Sequence, residues 1–168
     1  MEKNGRRMAK KFVGNIVSVS GGNKKLRNDV FEMAFWYIDR YMSRFRSLEI
    51  DIDLVSEKTL DFDDAHGWAE KRGRRVFEIE LNKNLKGDDF TTIVFHELCH
   101  VEQWAKGKLA DLNKKGNVVR WKGHIYENYS YTKQPWERQA YRKQEVALKY
   151  WKKYKKSKEN KILTIDIK

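Results

Sequence analysis

The sequence predicts an α+β fold on three observations: a long early stretch with helical periodicity, two short stretches in which apolar and acidic residues alternate, and a central helix that is apolar nearly all round. Its 168 residues are about one domain's worth. Hydrophobic residues make 40% of the chain and charged residues 36%, with 36 Lys and Arg against 24 Asp and Glu for a net charge of +12. Six Trp, eight Tyr and eight Phe supply the large apolar groups that a disordered chain lacks. No stretch approaches the ~20 apolar residues of a membrane-spanning helix. The single Cys, Cys99, excludes an internal disulfide, which suits a reducing, cytoplasmic setting. The N-terminus imitates a secretory signal, but Asn15 and Ser18 interrupt its apolar part and no small-residue cleavage site follows.

Leu26, Val30, Met33, Ala34, Tyr37, Ile38, Tyr41, Met42 and Phe45 recur at steps of three and four, predicting a helix from about Lys24 to Arg46. Leu48, Ile50, Ile52 and Leu54 alternate with Glu49, Asp51 and Asp53, the pattern of a strand with one buried face. Phe77, Ile79 and Leu81 alternate likewise with Glu78 and Glu80, between Gly73 and Gly87. Asp88 or Asp89 can cap the central helix, which reaches about Lys106 and ends at Gly107. Asn117 to Tyr131, broken by Lys122-Gly123, suggests a hairpin. Pro135 suits the first turn of a helix running from Trp136 to about Lys156, and Ile162, Leu163, Ile165 and Ile167 suggest a short closing strand. The chain shows no repeat or linker, so residues 1–168 are expected to form one domain.

Charge is uneven. Met1 to Asn28 holds eight Lys or Arg with only Glu2 acidic, and Arg138 to Lys161 holds ten against Glu145 and Glu159. The run from Glu49 to Asp64 is acidic. Two readings of the basic ends stand: solvated surfaces that aid solubility, and attraction to DNA, RNA or an acidic protein.

The central helix contains His96-Glu97-Leu98-Cys99-His100, the HExxH pattern. At 100° per residue the two histidines lie about 40° apart and one ~6 Å rise apart, so both imidazoles can converge on one ion. Zinc suits such ligands, and a catalytic zinc uses three protein ligands and one open position. Glu97, beside that face, can take the proton of the attacking water. Two histidines and a glutamate on a helix otherwise fit for complete burial would be costly unless something binds them. The third ligand comes from elsewhere: His124, Glu127 and Glu137 are the candidates, and Glu137 opens a helix that can pack on the central one. A first-turn glutamate also simply suits the helix dipole, so the choice stays open. Cys99 projects away from His100 and reads as a core thiol. His66 beside Gly67 is a loop histidine that could line a cleft. Among Tyr126, Tyr129, Tyr131 and Tyr141, one could hydrogen-bond a developing oxyanion.

Phe77 to Tyr141 resembles the small phage-encoded zinc metallopeptidases related to the SprT-like group, in the wider zincin class. The resemblance rests on His66-Gly67 before the strand Val76 to Leu81, on FHELCHVEQWAKGKL, on Trp121-Lys122-Gly123 with Tyr126, and on Pro135-Trp136-Glu137 with Ala140. It implies a zincin-like fold, with the HExxH helix against a mostly antiparallel sheet, and hydrolysis of protein or peptide substrates in the host cytoplasm. It further implies zinc held by His96, His100 and Glu137 and Glu97 as general base; Tyr141 and His66, read from the residues themselves, are the candidates for the oxyanion or the cleft. SprT-like proteins proper place a histidine after a glycine as third ligand, which His124 after Gly123 would match. Such kinship also implies recruitment to DNA-associated proteins. If Val76 to Leu81 is an exposed sheet edge over the site, an extended peptide can pair with it. The rival reading is a nucleic-acid-binding accessory protein with a structural or decayed zinc site, and Glu97 argues against decay.

Overall fold

The computed structural model describes residues 6–60 and 66–166. Asp61, Asp63 and Asp64 of the acidic run lie outside these, as does Ile167 of the expected closing strand.

The basic start of the chain forms two strands, β1 (Met8–Phe12) and β2 (Asn15–Gly21), paired antiparallel across a two-residue turn at Val13 and Gly14. Val17 and Val19 alternate with Ser18 and Ser20, which puts the valines in the core. Helix α1 (Lys24–Tyr41) follows, capped by Asn23, whose side chain accepts from the Leu26 amide at 2.8 Å. It crosses over to β3 (Glu49–Val55), which therefore runs parallel to β2. Beyond β3 come β4 (Gly67–Lys71) and β5 (Val76–Asn82), an antiparallel pair whose β5 lies parallel to β3. The sheet order is β1-β2-β3-β5-β4.

The fold is thus α+β, but its main sheet is mixed rather than mostly antiparallel, because a helix instead of a hairpin joins β2 to β3. The expected edge strand is also corrected. Val76 to Leu81 is internal, flanked by β3 and β4, and the edge on that side of the sheet is β4. One face of the sheet packs Val17, Val19, Ile50, Ile52, Phe77, Ile79 and Leu81 against α1 and the central helix. Each such side chain contributes about 1.5–3 kcal/mol when fully buried. The other face carries Ser18, Asp51, Asp53, Glu78 and Glu80.

Central helix α2 (Gly87–Ala105) starts one residue before the expected caps: Lys86 is the N-cap, and Asp88 and Asp89 sit in the first turn, where the helix dipole favours them. It stops in a Schellman turn, with Gly107 N–H bonding Trp104 O at 3.0 Å and Lys108 N–H bonding Gln103 O at 2.9 Å. Gly107 takes φ +70°, which a side chain would resist. Three short strands follow, β6 (Leu109–Asp111), β7 (Val118–Trp121) and β8 (His124–Glu127), forming a small antiparallel sheet. The expected hairpin is β7–β8, turning at Lys122 and Gly123, both with positive φ. Leu109, Val119, Trp121 and Trp136 make a second apolar cluster under it.

Helix α3 (Pro135–Asp166) is 32 residues long and runs through the segment expected to close the sheet. No Gly or Pro separates the Lys-rich stretch from Ile162 and Leu163, so the helix continues, and those two side chains are 52% and 60% exposed. Among the described residues no helix is long and apolar enough to cross a membrane.

Candidate metal centre

Helix α2 carries His96, Glu97 and His100, and α3 brings Glu137 in its first turn. Two buried polar links hold the helices in this register. Gln103 donates from Nε2 to the Trp136 carbonyl and to Gln139 Oε1, both at 3.0 Å. Glu102 accepts from Tyr37 Oη at 2.8 Å, from Lys106 at 2.6 Å and from Lys143 at 2.5 Å, so a carboxylate only 4% exposed is fully paired. Burial would raise the Glu102 pKa, yet Lys106 and Lys143 hold it below the usual carboxylate value.

His96 Nε2 lies 3.1 Å from Glu137 Oε2, His100 Nε2 lies 3.2 Å from Glu137 Oε1, and the two Nε2 atoms are 3.3 Å apart. All three residues are at most 8% exposed. The opposite ring nitrogens are fixed: His96 Nδ1–H donates to Gln144 Oε1 at 2.8 Å and His100 Nδ1–H to Gln103 Oε1 at 2.9 Å. Because Gln103 Nε2 is already spent on two acceptors, its oxygen must face His100; Gln144 Nε2 likewise turns to Glu145 Oε1 at 3.3 Å. Both imidazoles therefore keep the proton on Nδ1 and aim the Nε2 lone pair inward. Two lone pairs and a carboxylate meeting at ~3 Å repel one another unless a cation lies among them.

With no metal, a proton fills that need. Burial alone would lower the His100 pKa, but its hydrogen bond to Glu137 and that carboxylate's charge push it up to about 9. Burial would raise Glu137, but the hydrogen bonds and charges of His100 and His96 hold it well below the usual carboxylate range. Three donors of this type, within 4.8 Å of one another, fit a first-row divalent ion such as zinc.

Glu97 is 5% exposed, and burial pushes its pKa up against the charges of His100 and His96. Gly67 of β4 packs against it, where a Cβ would come within 3.0 Å of Glu97 Cγ and Oε1. A cleft of about 230 Å³ opens over this group, walled by Gly67, Ala69, Trp104, Tyr131 and Trp136.

The other sequence candidates fall elsewhere. His124 is exposed at the start of β8 and Glu127 is exposed at its end, and neither joins the cluster. His66 is exposed ahead of β4; its carbonyl accepts from the Asn82 amide at 2.9 Å, and its side chain does not line the cleft. Tyr141 stands edge-on to the His96 ring at 4.8 Å and is half-exposed, as Tyr131 is, but it does not line the cleft. Its hydroxyl lies 3.3 Å from that of Tyr131, which does line the cleft, and burial and Tyr141 together raise the Tyr131 pKa. Cys99 is fully buried, and burial pushes its thiol up to about 12, as suits an inert core residue. Sequence reasoning missed Gln103 and Gln144, and it noted Gly67 only as the neighbour of His66, not as the residue against Glu97. The first two carry a helical signal, since Gln103 follows His100 by three residues and Gln144 follows Glu137 by seven. A second acidic group, Asp53, Glu78 and Glu80, gathers half-buried on the open sheet face, with Ser20 donating to Asp53. No family model, no curated protein and no solved structure matches the chain.

Proposed function

We propose that the chain is a zinc-dependent peptidase with a zincin-like arrangement of helix and edge strand, acting on protein or peptide substrates. The observation that carries this reading is the convergence of His96 Nε2, His100 Nε2 and the Glu137 carboxylate, with both Nδ1–H groups anchored on glutamines. Zinc, when bound, supplies a Lewis acid that polarises the scissile carbonyl and acidifies the attacking water. Glu97 supplies the base, and burial raises its pKa toward the range in which a carboxylate accepts a proton and later returns it to the leaving amine. Tyr131, on the cleft wall, supplies a hydroxyl for the developing oxyanion, a role its position supports better than that of Tyr141. No described strand pairs with the outer edge of β4, and its backbone can take an extended peptide past Glu97.

Metal content of protein purified without added metal tests this. About one zinc per chain is expected, lost in the His96→Ala, His100→Ala double variant. Glu137→Ala should weaken zinc binding far more than His124→Ala. Full occupancy in the double variant would overturn the assignment, and the reverse ranking of Glu137 and His124 would move the third ligand to the hairpin.

A further inference from the structure

The cations of α3 divide into two sets. Lys143 pairs with Glu102, Lys152 with Asp88, and Lys155 and Lys158 with Glu32, so these fasten the helix to the body. Arg138, Arg142, Lys149, Lys153 and Lys156 are all exposed and make no ion pair with a described carboxylate, and Lys161, also exposed and without one, lies on another side of the helix from these five. At 100° per residue these five fall within an arc of about 60°, and they extend over 19 residues, about 27 Å of helix. Glu145 is the one acidic side chain at the margin of that arc. From Lys156 to Thr164 every described side chain is exposed, so the Lys158–Glu32 pair is what ties the last turns of α3 to the body.

We propose that this row is a docking surface for the phosphate backbone of a nucleic acid. The charges form a straight, unneutralised file, which matches a ligand of regularly spaced anions. A protein partner fits less well, because the core of a protein interface is apolar and poor in charge, whereas the file's five cations flank a single exposed apolar side chain, Val146. A membrane surface fits less well too, since the apolar side of α3, with Trp136, Ala140, Ala147 and Trp151, is buried in the fold. Phosphate contacts carry no sequence information, so binding is expected to be indifferent to sequence. This inference stands apart from the metal site.

The test is fluorescence anisotropy of the full chain with labelled 20-base-pair duplexes of two unrelated sequences, over a salt series. Equal binding to both is expected, with log affinity falling against log salt at a slope of about −4.5, from five cations at ~0.9 per neutralised phosphate. The variant Arg142→Gln, Lys149→Gln, Lys153→Gln keeps good helix formers and should lower the slope by about 3 and the low-salt affinity by tenfold or more. A control with Lys58→Gln, Lys114→Gln and Lys115→Gln makes the same charge change elsewhere and should bind like the wild type. Absence of binding at 50 mM salt overturns the proposal. So does an equal loss in both variants, which would reduce the effect to net charge. Binding of polyglutamate or anionic vesicles as tightly as DNA, with the same salt slope, also overturns it, as the row would then be a general anion surface.

Discussion

Gly67 on the edge strand β4 and Glu97 on helix α2 touch so closely that a single added carbon at Gly67 would sit 3.0 Å from Cγ and Oε1 of the glutamate. The strand is thereby both the wall of the cleft and the support that holds the carboxylate's direction. Gly67→Ala must displace Glu97 or Ile93, whose Cγ2 is also 3.0 Å away. The cost to stability is about 1–3 kcal/mol of overpacking. Misplacing a base by a fraction of an ångström costs more in rate, roughly 10- to 100-fold. Peptidase assays beside thermal melts check this, and a variant that melts lower but cleaves at the wild-type rate would remove Gly67 from the positioning of Glu97.

The two glutamines make a second expectation. Gln144→Ala frees the His96 ring to rotate or change tautomer without touching the contact between α2 and α3 made by Gln103. Zinc affinity should fall about 10- to 100-fold, as is usual when the partner of a ligating histidine is removed. Gln103→Ala should lose affinity and stability together, because Gln103 also binds the Trp136 carbonyl beside Glu137. Competition with a chromophoric chelator measures the first quantity and denaturant melts the second. Unchanged zinc affinity in Gln144→Ala would contradict the anchoring role.

These residues show where the sequence was legible and where it was not. His96, Glu97 and His100 announce themselves because one helix sets their spacing, whereas Glu137 stood open beside His124 and Glu127 because no sequence spacing fixes how α3 lies on α2. The β3 and β5 strands were equally plain, since Ile50, Ile52, Phe77 and Ile79 alternate with acids. Strand β1 was hidden by Lys10 and Lys11, side chains that suit an exposed edge but imitate a solvated tail. Strand β4 has Gly67 and Ala69 on its inner side, too small to give an apolar rhythm, and small for the same reason that they lie against α2. The end of α3 misled in the opposite direction, because Ile162, Leu163 and Ile165 read as strand while the preceding turns carried the helix through them.

Proton linkage at the ligand cluster has a definite sign. His100 is raised from 6.5 to about 9 in the metal-free protein, so the stability it adds is full below 6.5 and is lost as pH rises through 9. Glu137 is depressed, so its share is present above its ordinary 4.5 and is lost as pH falls toward its folded value. Metal-free protein should therefore be helped most by this pair between about 4.5 and 6.5. At pH 7 zinc must displace the shared proton, so about one proton should be released per zinc and affinity should climb with pH. Calorimetric titration in two buffers of different ionisation enthalpy reads the proton directly. Zinc uptake with no proton released at pH 7 would show that the histidines stand neutral beforehand.

Glu97→Gln separates an enzyme from a structural zinc protein. Glu97 precedes Leu98 on α2 and is absent from the cluster formed by His96, His100 and Glu137, so zinc content should be unchanged. The amide has nearly the shape of the carboxylate and should fit the space beside Gly67. Removing a charge that burial already disfavours should leave stability equal or slightly higher. What the amide cannot do is accept a proton from the attacking water, and that loss is worth ~10²- to 10⁴-fold in rate or more. A substrate screen over unfolded proteins and DNA-binding proteins, with and without DNA, comes first. With a substrate in hand, the expected variant binds zinc and melts like the wild type but does not turn over. Equal cleavage by wild type and variant would assign the activity to another group, and Glu97 would not be the base.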